Sequence, residues 1–299
     1  MKYVWTLAPI LAALVGMAAP AYAQDVATTL KKVEETGTFT IATRAASIPF
    51  NYLDDDNKQA GFAWEIAQRV ADKVKATVSR KDVQIRTMEV TPQTRIPLVA
   101  NQTIDLECSS TTHSLERENQ VNFSTSFFVV GTRMLVPASS RIRNWDDIAG
   151  KNVVVSAGTT AERLLRRLNE NKKWNVNIVL GKDIDNTFMT VQTGRAAAAL
   201  MDDMVLHSLV ARSRDPKEWN VVGDVLQPEA YACMLRKGDT EFKSLVDGVI
   251  TGMMKSGEIT NLYNKYFLSP IKVRGGFNIN AAMSPVIRDL IANPNDRVL

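Results

Sequence analysis

Four stretches of this 299-residue chain gather side chains suited to gripping a small charged molecule. Ser156-Ala157-Gly158-Thr159-Thr160-Ala161-Glu162 follows an apolar run and precedes a helical pattern carrying Leu164, Leu165 and Leu168. Thr159 and Glu162 stand at capping-box spacing. Free backbone N–H groups at such a helix start, joined by hydroxyls, suit a carboxylate; a helix cap with no ligand fits the same residues. Ser109-Ser110-Thr111-Thr112 follows the strand-like run Ile104–Cys108, with Arg117 a few residues on. Hydroxyls at the carboxyl end of a strand face the crevice where open α/β sheets bind ligands. The planar fork of Arg117 matches a carboxylate with two parallel bonds; the alternative is an exposed place on a short polar helix beside Glu116 and Glu118. Asp202-Asp203 ends the small-residue strand Ala196–Met201. A carboxylate there holds an ammonium group or caps the next helix. Arg44 and Arg95 each sit among uncharged neighbours, in T-R-A-A-S-I-P-F and T-P-Q-T-R-I-P-L, which sets them apart from generic solubilising charges.

Bond-making chemistry finds little support. No nucleophile–base pair can be assembled, and general acid–base catalysis needs a positioned titratable group, for which only Asp202 offers itself. His113 reads as a solvated loop residue and His207 as a structural residue in the apolar helix Val205–Val210. No His/Cys cluster supports a metal site, and no cofactor is implied. Cys108 and Cys233 fit a disulfide and two buried thiols equally well.

The elements that must carry these groups alternate. Val26, Leu30 and Val33 recur at helical spacing up to Gly37, and Phe39, Ile41 and Thr43 alternate as a strand that delivers Arg44 to a loop. Phe62, Ile66, Val70 and Val74 predict a helix; Val83–Val90 reads as a strand, Gln93–Asn101 as a helix and Ile104–Cys108 as a strand. Val121–Pro137 is long for one strand and suggests a crossover between lobes. Alternation then resumes with strand Asn152–Ser156, helix Ala161–Asn171, strand Val176–Leu180, a short helix near Thr187–Gln192 and strand Ala196–Met201. Glu229–Leu235 reads as a return crossing, followed by helices Glu241–Met254 and Ile259–Phe267 and a weak helix at Ser284–Ala292 in a tail that wraps the outside. The expected architecture is α/β, with each of two lobes a mixed sheet flanked by helices. The first lobe is discontinuous, 24–132 plus 233–299; the second spans 133–232. A cleft between them is where a ligand belongs.

Residues 1–23 predict an export signal: Lys2 is their only charge, Leu7 to Ala19 is apolar, and Ala21-Tyr22-Ala23 offers the small residues of a cleavage site. The apolar run falls short of a membrane span. No Cys follows it, so a lipid anchor is not expected there, and the mature chain is expected to begin near Gln24 as a soluble protein. Losing Lys2 lowers the net charge from +4 to +3. Basic runs interleaved with aromatics are absent, which argues against nucleic acid as a partner.

In its motifs the chain resembles the periplasmic solute-binding proteins of amino-acid ABC transporters, most closely the glutamate/aspartate-binding branch. The resemblance covers nearly all of the mature chain. It rests on R-A-A-S-I-P-F from Arg44, R-I-P-L from Arg95, D-L-E-C-S-S-T-T from Asp105, F-V-V-G-T-R from Phe128, Ser156–Glu162, M-D-D from Met201 and E-A-Y-A-C-M-L-R-K from Glu229. It implies a two-lobed type II periplasmic-binding-protein fold that shuts on its ligand and hands it to a membrane permease, as a monomer without catalysis. By motif, Arg117, Thr112 and Thr160 would hold an α-carboxylate, Ser110 and Asp202 an α-ammonium, and Arg44 and Arg95 a side-chain carboxylate. A zwitterion needs both signs, and a second carboxylate needs extra cations. Ile184 and Pro92 stand where the family pattern has a histidine and a serine, which removes two donors from the distal end and leaves glutamine, asparagine or another polar amino acid as alternatives. An exported dehydratase on the same fold, or a sensory receptor, is the competing class.

Overall fold

Apolar periodicity and capping chemistry set the order of elements in this computed structural model, which describes Met1, residues 28–273 and residues 276–299. Apart from Met1, the expected export signal lies outside the described residues, as does Val26. α1 (Thr29–Thr36) starts at Thr28, whose hydroxyl accepts the Lys31 N–H, and stops at the left-handed Gly37. β1 (Thr38–Thr43) leads into a meander of β2 (Ala46–Ser47), β3 (Asn51–Leu53) and β4 (Gln59–Ala60). α2 (Phe62–Thr77) buries Phe62, Ile66, Val70 and Val74, the repeat that predicts it. β5 (Gln84–Glu89) pairs parallel to β1. Two short helices, α3 (Arg95–Ala100) and α4 (Leu115–Glu118), precede β6 (Val121–Phe123) and β7 (Phe128–Pro137).

The central block runs β8 (Asn152–Ser156), α5 (Thr160–Lys172), β9 (Asn177–Gly181), α6 (Ile184–Gln192), β10 (Ala198–Asp202), α7 (Asp203–Ala211), β11 (Trp219–Val222) and β12 (Pro228–Tyr231). Its strands form one sheet in the order β11-β7-β10-β8-β9, with β12 also on β7. Parallel pairing of β8 with β9 and β10 requires helical crossovers, which α5 and α6 supply. β13 (Met234–Arg236) then returns the chain to β6, and α8 (Thr240–Lys255), α9 (Glu258–Tyr263) and α10 (Pro285–Ala292) complete the fold.

β7 is the joint of the molecule. Residues Phe128–Gly131 pair with β12, and Thr132–Pro137 pair with β10 and β11. Beside this joint Phe50, Phe128, Tyr231 and Phe267 pack edge-on or stacked, with ring centroids about 5 Å apart. Met134, Val136, Val153, Val155, Leu165 and Leu200 form a core of their own around the sheet of the central block. Cys108 and Cys233 are joined as a disulfide, which decides between the two readings of the cysteines.

Several expectations need correction. Ile104–Cys108 is no full strand but makes two isolated bridges, Ile41 with Leu106 and Glu107 with Met234; the Asp105 carboxylate takes the Thr40 N–H at 2.9 Å in place of a ladder bond. The long extended stretch is broken at Ser124–Phe127, where the Thr125 N–H turns to Asp247. α6 begins at Ile184 rather than near Thr187, because the Asp183 carboxylate caps the Asn186 N–H. His113 is buried, stacked on Phe123 with centroids 4.5 Å apart and bonded through Nε2 to Glu118 at 2.6 Å. His207 lies on the outer side of α7, away from the cavity described below.

Candidate ligand-binding site

Loops at strand ends bring the predicted groups together. One cavity is lined by Arg44, Arg95, Ser110, Thr112, Thr160 and Asp202, six of the seven predicted residues, together with both departures from the family pattern, Pro92 and Ile184. Arg117, the seventh, is not in the lining. It is 1% exposed, so the reading that put it on an outer helix face fails.

Arg44 follows β1, held by its N–H donating to Asn51 Oδ1 at 3.0 Å and its carbonyl accepting from Gln59 Nε2 at 2.8 Å. Among the described residues its guanidinium donates no hydrogen bond. Arg95 opens α3 and donates through Nη1 to the Ser110 carbonyl at 3.0 Å and to the Thr111 hydroxyl. Buried Glu107 stands 3.9 Å from it, and the Arg95 Nε is unpartnered. Arg117 in α4 donates through Nη1 to the Thr112 carbonyl at 2.7 Å, and its buried Nε also lacks a partner. Burial, then the charge of Arg95, lowers Arg44 to about 10; the same two causes, with Arg163 added, lower Arg117 to about 9. Arg44 and Arg117 stay cationic at neutral pH, and the like charges of Arg44 and Arg95 suit the cavity wall to an anion.

The opposite sign comes from Asp202 at the end of β10. It makes no side-chain cap bond; Asp203 takes the capping work, accepting the Met204 N–H at 2.7 Å and the Gly131 N–H at 3.3 Å. Asp202 instead accepts the Tyr231 hydroxyl. Burial, then the charge of Glu229, raises its carboxyl to about 7, against the pull of the Tyr231 hydrogen bond. Relief for that carboxylate would come from a cation.

At the α5 start, the Thr159 hydroxyl accepts the Glu162 N–H at 3.2 Å and the Glu162 carboxylate accepts the Gly158 N–H at 2.8 Å. The Thr160 and Ala161 N–H groups belong to the first turn, which has no intrahelical acceptors for them. Thr112 bridges Tyr231 through bonds made by its neighbours, His113 N–H to Ala230 and Ala232 N–H to Thr111. Sequence reasoning assigned no site role to Glu229, Tyr231 or Glu107. Each lies inside a quoted motif, but nothing in its immediate neighbours marks it for the site.

The family model described as bacterial extracellular solute-binding proteins, family 3, matches residues 39–269. An L-glutamate/L-aspartate-binding protein of Pseudomonas aeruginosa is 45% identical over 96% of this chain and 95% of its own length. A glutamate/aspartate import solute-binding protein of Escherichia coli is 39% identical, covering 91% of this chain and 89% of its own. Among solved structures, an ancestral amino acid-binding protein, a precursor of cyclohexadienyl dehydratase, superposes with a TM-score of 0.68 at 25% identity, over 80% of this chain and 99% of that one. The fold is that of the type II periplasmic binding proteins, and the chain belongs to family 3 of the bacterial extracellular solute-binding proteins.

Proposed function

We propose that the protein is a periplasmic receptor for an amino acid, with L-glutamate and L-aspartate preferred, which it delivers to an ABC-type uptake permease when its lobes close. One observation carries this reading: the cavity sets a wall of mutually repelling arginines against a carboxylate short of a cation. A guest with two carboxylates and one ammonium satisfies both sides. Arg117 and the Thr112 and Thr160 N–H groups take the α-carboxylate, Ser110 and Asp202 the ammonium, and Arg44 and Arg95 the distal carboxylate. The names of the bacterial relatives point the same way. The protein is exported by cleavage of residues 1–23, acts as a monomer and carries out no catalysis. Its lobes are 24–132 with 233–299, and 133–232; the grouping of β7 to β12 into one sheet supports that division.

Calorimetric titration of the refolded, ligand-free protein with the twenty amino acids tests this. Stoichiometric heat with L-glutamate or L-aspartate is expected, and its absence with every amino acid overturns the reading. A second reading, a receptor for glutamine or asparagine, draws on Pro92 and Ile184, which line the cavity without side-chain donors. The same titration separates the two. A dehydratase, which the ancestral neighbour brings to mind, requires a general acid or base; Asp202 is better used on an ammonium. Product formed from a prephenate-like acid would reverse that judgement.

A further inference from the structure

We infer that Glu229 is a specificity-determining residue: from the joint between the lobes it fixes the hydroxyls of Thr112 and Thr160 as acceptors and so makes the cavity demand a ligand with an amino group. This rests on the amino-acid receptor reading and deepens it. Glu229 lies in β12, is 2% exposed, and accepts from the Thr112 and Thr160 hydroxyls through the same oxygen, Oε2, the latter at 2.8 Å. Its other oxygen faces the Thr132 hydroxyl at 3.4 Å. Both Thr112 and Thr160 line the cavity.

A threonine hydroxyl has one proton and two lone pairs. Once the proton goes to Glu229, only lone pairs remain to offer. Thr112 and Thr160 therefore serve a carboxylate only through their backbone N–H groups, while their oxygens call for a donor. Asp202, whose carboxyl the Glu229 charge helps to raise, adds a third acceptor to the lining of the same cavity. An ammonium, with three donors and a positive charge, satisfies that set. A dicarboxylate of equal length without the amine leaves buried acceptors unmatched, which is costly.

The test compares L-glutamate with glutarate, the same skeleton without the amine, by calorimetric titration of wild type, Glu229→Gln and Thr160→Val. Glu229→Gln keeps the shape but introduces an amide donor that turns at least one hydroxyl around. It is expected to lower L-glutamate affinity about tenfold or more relative to glutarate. Thr160→Val, which removes one acceptor and keeps the N–H, is expected to narrow the ratio in the same direction, and decides the matter should Glu229→Gln fail to fold. An equal loss for both ligands makes Glu229 a plain structural tie and overturns the inference, as does an unchanged ratio. A wild type that binds no amino acid overturns the receptor reading itself, a distinct result.

Discussion

Arg117 links two loops far apart in the chain: its Nη2 donates to the Gly158 carbonyl at 3.4 Å while Nη1 holds the Thr112 carbonyl at 2.7 Å. Arg117→Ala takes away a buried cation and this fork together. It is expected to weaken L-glutamate binding by about 2–5 kcal/mol. Arg117→Lys restores the charge without the fork and should recover only part. Calorimetry on both variants checks this, and wild-type affinity in Arg117→Ala would remove the residue from the site.

Gly158 has φ +79°, and a Cβ there would lie 3.0 Å from the Gln93 Cα. Gly158→Ala adds left-handed strain of about 1–2 kcal/mol and a wedge between closed lobes. The variant should fold with a small fall in melting temperature yet lose affinity well beyond that strain. Small-angle scattering with saturating L-glutamate should then show a larger radius of gyration than wild type; identical profiles would mean the contact yields freely.

Ile184 opens α6 and lines the cavity without a donor. Ile184→His is expected to raise the preference for L-glutamate over L-glutamine about tenfold. The gain should be largest below about pH 6.5, where the imidazole is charged. Paired titrations at two pH values measure it, and an unmoved ratio would place Ile184 away from the distal group.

Ligand-free stability should depend on Asp202. Its carboxyl is raised to about 7 by burial and then Glu229, against about 3.9 in an unfolded chain. Between those values the native state holds more protons than the unfolded one, so this group's contribution falls as pH rises from about 4 to about 7 and is level above. Asp202→Asn removes that slope, and its melting temperature should gain on wild type across the window. Parallel melting curves would mean that the carboxyl is solvated.

The fold was readable wherever a single element carries its own pattern. The four-residue repeat of α2 and the apolar run of β8 need no distant partner to declare themselves. Arg44 and Arg95 stood out because their neighbours are uncharged. Glu229 did not: its hydroxyl partners lie 117 and 69 residues away, so nothing local explains a buried carboxylate. The burial of His113 was hidden for the same reason, since its neighbours Phe123 and Glu118 close over it only once α4 turns the chain back into β6.

The Cys108–Cys233 bond has a topological consequence. It encloses β6 to β12 in one covalent ring, so a protease that nicks any exposed turn between these cysteines liberates no fragment. The severed ends stay tethered at the neck of the molecule, where they can still find each other, and freeing any of the enclosed chain takes a second cut inside the same ring.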